Sequence, residues 1–225
     1  MADAKVQKRF QRARRPEHKE ERRSALLRAA AELLDAAGID GVTLSAIAKK
    51  AGVSKSNLYT YFESREDLLL TVLLARWKEA VEEAEVGLAP FAGCDDPARV
   101  AQILAAGYLA RPQLCALSSV LSSVLEQNVS EERIVAFKRA SLILGVRLTN
   151  MLSVALPSLP FDRCAWVLRP MFAVVAGLWP VSQPPPAVAR ALTRPDLALM
   201  CIAWEDDLAR SFEAILRGEL MRPAQ

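Results

Sequence analysis

The chain has 225 residues, of which 52% are hydrophobic and 24% charged, with a formal net charge of +3. That balance excludes a disordered chain, and the length allows one large domain or a small one joined to a medium one. A single histidine, four scattered cysteines and the lack of a Gly-rich phosphate loop or a G-x-S-x-G motif leave nothing from which to build a zinc site, a disulfide framework or a His-based triad. No metal, no cofactor and no enzyme are expected, and the four cysteines, Cys94, Cys115, Cys164 and Cys201, are read as buried reduced thiols.

Charge is unevenly distributed. Residues 1–65 carry 14 Lys/Arg and 8 Asp/Glu, net +6, and the remaining 160 carry 15 and 18, net −3. A polyanion is the natural partner of the N-terminal third. The opening "MADAKVQKRFQRARRPEHKEERR" is basic but contains Asp3, Glu17, Glu20 and Glu21, and no apolar run follows it, so it reads as no secretory signal. Residues 1–16 are expected to be a flexible basic leader attracted to phosphate without specificity. The longest apolar stretch, "RPMFAVVAGLWPVSQ", is interrupted by Pro180 and falls short of the about 20 residues a bilayer requires, so the expected location is cytoplasmic.

The first predicted helix lies in "ERRSALLRAAAELLDAAG", where Leu26, Leu27, Ala30, Leu33, Leu34 and Ala37 form one apolar stripe and Gly38 supplies a left-handed stop. Thr43 stands as N-cap to a second, short helix, "LSAIAKKA", with Leu44, Ile47, Ala48 and Ala51 on one face before Gly52. Ser54 caps a third, "KSNLYTYF", with Leu58 and Phe62 turned inward. Two short helices joined by Ala-Gly-Val-Ser make a helix-turn-helix unit. Ser64 caps a fourth helix through "REDLLLTVLLARWKEAVEEAEV", with Asp67 at N3 in a shortened capping box.

Further on, Asp96-Pro97 and Arg111-Pro112 read as helix starts. Ser130 caps a long run ending at Pro157, and another helix starts at Asp162 and closes near Trp179 and Pro180. "PVSQPPPAVARALTRP" reads as a proline-rich connection, and "DLALMCIAWEDDLARSFEAILRG" as one last long amphipathic helix. No alternating strand pattern or internal repeat appears, so the fold class is all-α.

The third helix carries the chemistry. With Leu58 and Phe62 inward, its exposed surface gathers Lys55, Ser56, Asn57, Tyr59, Thr60 and Tyr61. In a major groove, Lys can donate to guanine O6 or N7 and Asn can pair with the adenine edge. Tyr hydroxyls can reach phosphates, and Lys49, Lys50 and Arg65 add charge. A helical hairpin that merely packs is the competing reading.

"GIDGVTLSAIAKKAGVSKSNLYTYFESREDLLLTVL", residues 38–73, resembles the DNA-binding domain of TetR-type (tetracycline-repressor-like) regulators in the ordered motifs G, T-L-x-x-I-A, A-G-V-S, L-Y-x-Y-F and S-[KR]-E-x-L. The resemblance implies a helix-turn-helix DNA-binding domain at 17–63 and a larger helical effector-binding and dimerisation domain at 64–225. Thr43 and Ser45 at the start of helix two, and Lys55, Ser56, Asn57, Tyr59, Thr60 and Tyr61 of helix three, would be its DNA contacts. Arg65 stands where the family usually has Lys, and Tyr61 where many relatives have His. The family also implies a homodimer through its last two long helices, here segments 162–179 and 196–217.

For the larger domain, apolar and aromatic walls with a few polar groups would make an effector site. Gln102, Tyr108, Arg147, Asn150, Trp166 and Phe172 are the candidates, with Arg147 first in line for an acidic group and Arg169 assigned to a dimer seam or the surface. The expected function is a ligand-responsive repressor that binds a palindromic DNA operator and is released by a small molecule. The alternative is a helical protein-interaction module with a degenerate helix-turn-helix.

Overall fold

The computed structural model describes the backbone of residues 2–223 and the side chains of 18–223; the leader expected at 1–16 lies outside these fully described residues. Among the described residues there is no strand, and the chain forms two compact units, Met1–Val72 and Leu73–Gln225.

The first unit contains α1 (Ala2–Gly41), α2 (Leu44–Lys50), α3 (Lys55–Leu58) and the first turns of α4 (Arg65–Leu88). The regular course of α1 is broken at Gly38, whose φ of 64° and ψ of −171° fall in a region open essentially to glycine alone. This is the stop expected from the sequence. Thr43 caps α2, its Oγ1 accepting from the Ala46 N–H at 3.1 Å, and Ser54 caps α3, its Oγ accepting from the Asn57 N–H at 3.2 Å. Leu26, Ala30, Leu34, Val42, Ile47, Ala48, Leu58 and Phe62 form the buried interior of this unit. Regular α3 is shorter than expected: past Leu58 the chain tightens into turns, with Thr60 N–H on the Asn57 carbonyl and Tyr61 N–H on that of Leu58, which still bring Phe62 inward.

One compact unit ends at Val72 and the other begins at Leu73, both within α4, and Leu68, Leu69, Leu70 and Val72 are all buried. Arg65 ties the start of α4 to the segment after Gly38 by donating to the Ile39 carbonyl at 2.6 Å.

The second unit continues α4 and adds α5 (Pro97–Leu109), α6 (Pro112–Ser119), α7 (Glu131–Ala155), α8 (Phe161–Ser182), α9 (Pro186–Leu192) and α10 (Trp204–Met221). Asp96 caps α5 by accepting from Ala98 and Arg99, and Ser130 caps α7, as their sequence signals require. One turn of π-helix, Leu121–Leu125, follows α6 and has no signal in the sequence. In the core, α10 packs on α5 and α8, and α8 also packs on α6 and α7. Val100, Leu104, Leu152, Val167, Met171, Val175, Leu208, Phe212 and Leu216 fill it. The close approach of α4 and α5 is at Gly87, where a Cβ would lie 2.8 Å from Cγ2 of Ile103.

Three expectations are corrected. Segment 196–217 is not one helix: Pro195–Met200 is a 3-10 turn, the chain is irregular at Cys201–Ala203, and α10 begins at Trp204. The cause is the acidic run Glu205, Asp206 and Asp207, which favours a helix N-terminus, with Asp207 accepting from the Ala203 N–H at 2.8 Å. The proline-rich connection contains α9, with Pro186 in its first turn. Cys94 and Cys201 are exposed because both lie in breaks between helices; only Cys115 and Cys164 are buried.

The helix expected to close near Trp179 and Pro180 runs on to Ser182, and Pro180 does not interrupt it, giving a 22-residue helix long and apolar enough to cross a membrane by length and composition. Its buried side, Cys164, Val167, Met171 and Val175, belongs to the core of the second unit, its first turn carries Asp162 and Arg163, and Pro170 and Pro180 lie inside it. Arg163 also secures the end of α10, donating to the carbonyls of Glu219, Arg222 and Pro223 at 3.1, 2.7 and 2.6 Å.

Candidate nucleic-acid interface and effector cavity

In the first unit the starts of α2 and α3 open on one side. Thr43, Ser45, Lys55, Tyr59 and Arg65 line a single shallow depression of about 420 Å³, together with Leu44, Glu63, Ser64 and Glu66. Thr43 and Ser45 are exposed at the first turn of α2, and Lys55 and Ser56 at the first turn of α3. The short turn Ala51–Ser54, with Gly52 at φ 68°, sets the two helix starts beside each other.

Two unpaired lysines stand on this surface, against the two carboxylates Glu63 and Glu66 in the lining of the depression. Lys49 and Lys55 are exposed and have no ion-pair partner among the described residues, whereas Lys50 pairs with Glu32 at 2.8 Å. Tyr59 is 51% exposed, and a large aromatic side chain held out beside an unpaired Lys suits contact with sugar and phosphate.

Other predicted contacts are already occupied. Thr60 donates its hydroxyl to the Asn57 carbonyl at 2.7 Å, and Tyr61 is half-buried. Ser56 shares a hydrogen bond of 3.0 Å with Ser54. Arg65 is half-buried on the Ile39 carbonyl and lies 3.7 Å from Glu66, so much of its bonding capacity serves the fold. The side-chain oxygen of Asn57 is enclosed and has no hydrogen-bond partner, so two-handed pairing with an adenine requires that amide to rotate outward. The acidic rim residues Glu63 and Glu66 were not foreseen; their position directly around the Ser64 cap is the signal that places them there.

The second unit holds a partly open cavity of about 690 Å³ between α4, α5, α7, α8 and α10. Trp77 stacks on Phe137 at 6.0 Å and meets Phe172 edge-on at 5.7 Å, and Tyr108 meets Phe212 edge-on at 5.9 Å, giving the wall its aromatic character. Burial pushes the Tyr108 phenol far above its ordinary pKa, so it stays protonated.

Of the sequence-predicted effector residues, Tyr108 and Phe172 line this cavity; Gln102, Arg147, Asn150 and Trp166 do not. Gln102, Asn150 and Trp166 are exposed, and Arg147 pairs with Glu85 at 2.6 Å. A helix turns about 100° per residue, so Arg147 leaves the face on which Gly145, Leu148 and Thr149 meet the cavity. Arg169, assigned elsewhere from the sequence, does line it, as do Trp77 and Lys138. Trp77 carries the signal of an aromatic on an amphipathic helix, and Lys138 carries none.

The two units coincide with two known domain families. Residues 26–72 match the family described as "Bacterial regulatory proteins, tetR family", and residues 73–223 match "Tetracyclin repressor-like, C-terminal domain". No curated protein sequence matches the chain. Among solved structures, Thermus thermophilus FadR, a TetR family transcriptional repressor in complex with lauroyl-CoA, is similar at 21% identity and a TM-score of 0.58, with 90% of this chain and 97% of that one covered. The fatty acid degradation regulator FadR from Bacillus halodurans is similar at 15% identity and a TM-score of 0.56, with 90% and 97% covered. A TetR transcriptional regulator from Rhodococcus sp. RHA1 gives 20% identity, a TM-score of 0.53 and 88% and 97% coverage.

Proposed function

Because the chain belongs to the tetR family of bacterial regulatory proteins and is a DNA-binding transcriptional regulator, we propose that it is a repressor that binds a palindromic operator as a homodimer and is released by a small-molecule effector. The observation that carries this reading is the common depression formed by Thr43, Ser45, Lys55 and Tyr59 at the starts of α2 and α3. Side chains from the first turn of α3 would enter the major groove, while Lys49 and Tyr59 would meet phosphates and fix the register.

A dimer would place two such helices in successive major grooves about 34 to 36 Å apart, hence a palindrome. The proposed dimer contact keeps segments 162–179 and 196–217. Trp166, Ala173 and Gly177 form an exposed, largely apolar face of α8, and α10 presents Arg210 and Ala214 outward. An apolar face of this kind is costly to leave in water and favours burial against a second copy.

The effector is assigned to the cavity lined by Trp77, Tyr108 and Phe172. The lauroyl-CoA in the Thermus thermophilus structure is a property of that protein; here the support is the cavity itself. Helix α4 carries Trp77 and also contributes its first turns to the DNA-facing unit, so an effector that favours one course of α4 would act on operator affinity. It would do so only as far as its affinities for the two states differ.

Selection of bound duplexes from a random DNA pool at physiological salt, with the purified dimer, tests the reading. A palindromic motif is the expected result. A folded dimer that enriches no motif overturns it in favour of a protein-interaction module, for which DNA binding would be weak and salt-sensitive.

A further inference from the structure

Resting on the assignment of this cavity to the effector, we propose that the effector is an anionic amphiphile whose apolar body fills the cavity and whose negative group is held at the rim by Arg169. The lining contains no Asp or Glu, but it does contain two cations, Lys138 of α7 and Arg169 of α8. A cationic ligand would therefore meet like charge at the rim and no counter-charge inside.

The two cations are not equivalent. Lys138 already lies 2.5 Å from Glu126, which offsets its charge. Arg169 is exposed and has no hydrogen-bond or ion-pair partner among the described residues. Its planar fork is suited to a carboxylate or phosphate, which it can engage through two parallel hydrogen bonds.

The interior settles the orientation. Thr149 and Ser141 donate their hydroxyl protons to the Gly145 and Phe137 carbonyls, each at 2.9 Å, and so present only lone pairs inward. A negative group deep in the cavity would face those lone pairs, the rings of Trp77, Phe172 and Phe212 and one neutral donor, the Tyr108 hydroxyl, whereas at the rim it meets a full positive charge on a guanidinium. The apolar part of the ligand belongs inside and the charge outside. A cavity of about 690 Å³ lies within the range, about 300 to 1,000 Å³, that accepts a single small ligand.

Isothermal titration of the full-length protein with decanoate, decyl phosphate, decanol and decylammonium, at neutral pH and below their aggregation thresholds, tests the proposal. One or both anions should bind at least about tenfold tighter than decanol, with decylammonium weakest; which anion wins identifies the head group. Arg169→Gln should abolish that preference without weakening decanol, Arg169→Lys should keep part of it, and Gly145→Leu, which fills the cavity, should weaken all four. Equal binding of decanol and the anions, preference for decylammonium, or an anion preference that survives Arg169→Gln overturns the proposal and leaves the effector cavity standing. No binding of any of the four to a folded dimer overturns both the proposal and the assignment of the cavity to an effector.

Discussion

Ser64 and Asp67 close the start of α4 reciprocally: Ser64 Oγ accepts from the Asp67 N–H at 3.0 Å, and Asp67 Oδ2 accepts from the Glu63 N–H at 3.1 Å. Asp67 is buried, at 3% exposure, so removing its carboxylate leaves the Glu63 N–H without that partner. Asp67→Ala is expected to cost about 1 to 2 kcal/mol. Ser64→Ala should cost about 1 kcal/mol. Urea denaturation gives both values, and amide exchange over the first turn of α4 should accelerate in each variant. Unchanged exchange there would show that the cap does not hold this helix end.

The DNA-facing residues separate into two experimental classes. Lys55→Ala should relax preference at one operator position by about 1 to 3 kcal/mol, and Asn57→Ala should do the same at a neighbouring one if its amide rotates out on binding. Lys49→Ala should weaken all sequences alike and lower the slope of log affinity against log salt by about one. Binding titrations on the selected operator and its single-base variants, at several salt concentrations, distinguish them. A sequence preference unchanged in Asn57→Ala removes Asn57 from the readers. In the free protein the same substitution deletes an enclosed, unpartnered oxygen, so its unfolding free energy should not fall by the amount typical of a lost hydrogen bond.

What the sequence made legible follows from the range of the forces involved. Caps and stops are local, so Thr43, Ser54, Ser64, Asp96, Ser130 and Gly38 were all readable within a few residues of their own positions. The inward positions of Leu58 and Phe62 followed from helical period alone. The cavity did not, because its wall is assembled from five helices and membership depends on rotation about each axis. Arg147 and Thr149 are two residues apart, yet one pairs with Glu85 and the other lines the cavity. The break before α10 has a different cause: the apolar period runs on through Leu197, Met200 and Trp204, and Glu205, Asp206 and Asp207 suit the polar face of one continuous helix as well as the first turn of a new one.

Gly38 makes a sharp test of the first unit. With φ at 64° and ψ at −171°, its strain on replacement is backbone strain, because an added Cβ would meet no atom within 4 Å. Gly38→Ala should therefore cost about 1 to 3 kcal/mol. Gly218→Ala, inside α10 and equally open, should instead stabilise by about 0.5 to 1 kcal/mol. Denaturation midpoints of the two variants should move in opposite directions; equal shifts would show that Gly38 relaxes to an ordinary conformation.

The four thiols should divide into two pairs. Burial pushes the Cys115 thiol up to about 12 and, with Asp162 nearby, the Cys164 thiol up to about 11, from an ordinary value of 9.0. Both remain protonated and enclosed at mildly alkaline pH, and the thiolate is the reactive form. Iodoacetamide followed by intact-mass measurement should label Cys94 and Cys201 in the folded protein, and Cys115 and Cys164 only after denaturation. The linkage has a definite sign. Between pH 9 and about 12 the unfolded chain has lost the Cys115 proton and the folded chain still holds it, so the unfolded state binds fewer protons and stability falls as pH rises. Cys115→Ala removes that contribution and should flatten the alkaline limb of a stability-against-pH curve, at the cost of a small core cavity that lowers the whole curve. An alkaline limb as steep as that of the unsubstituted protein would exclude Cys115 as its source.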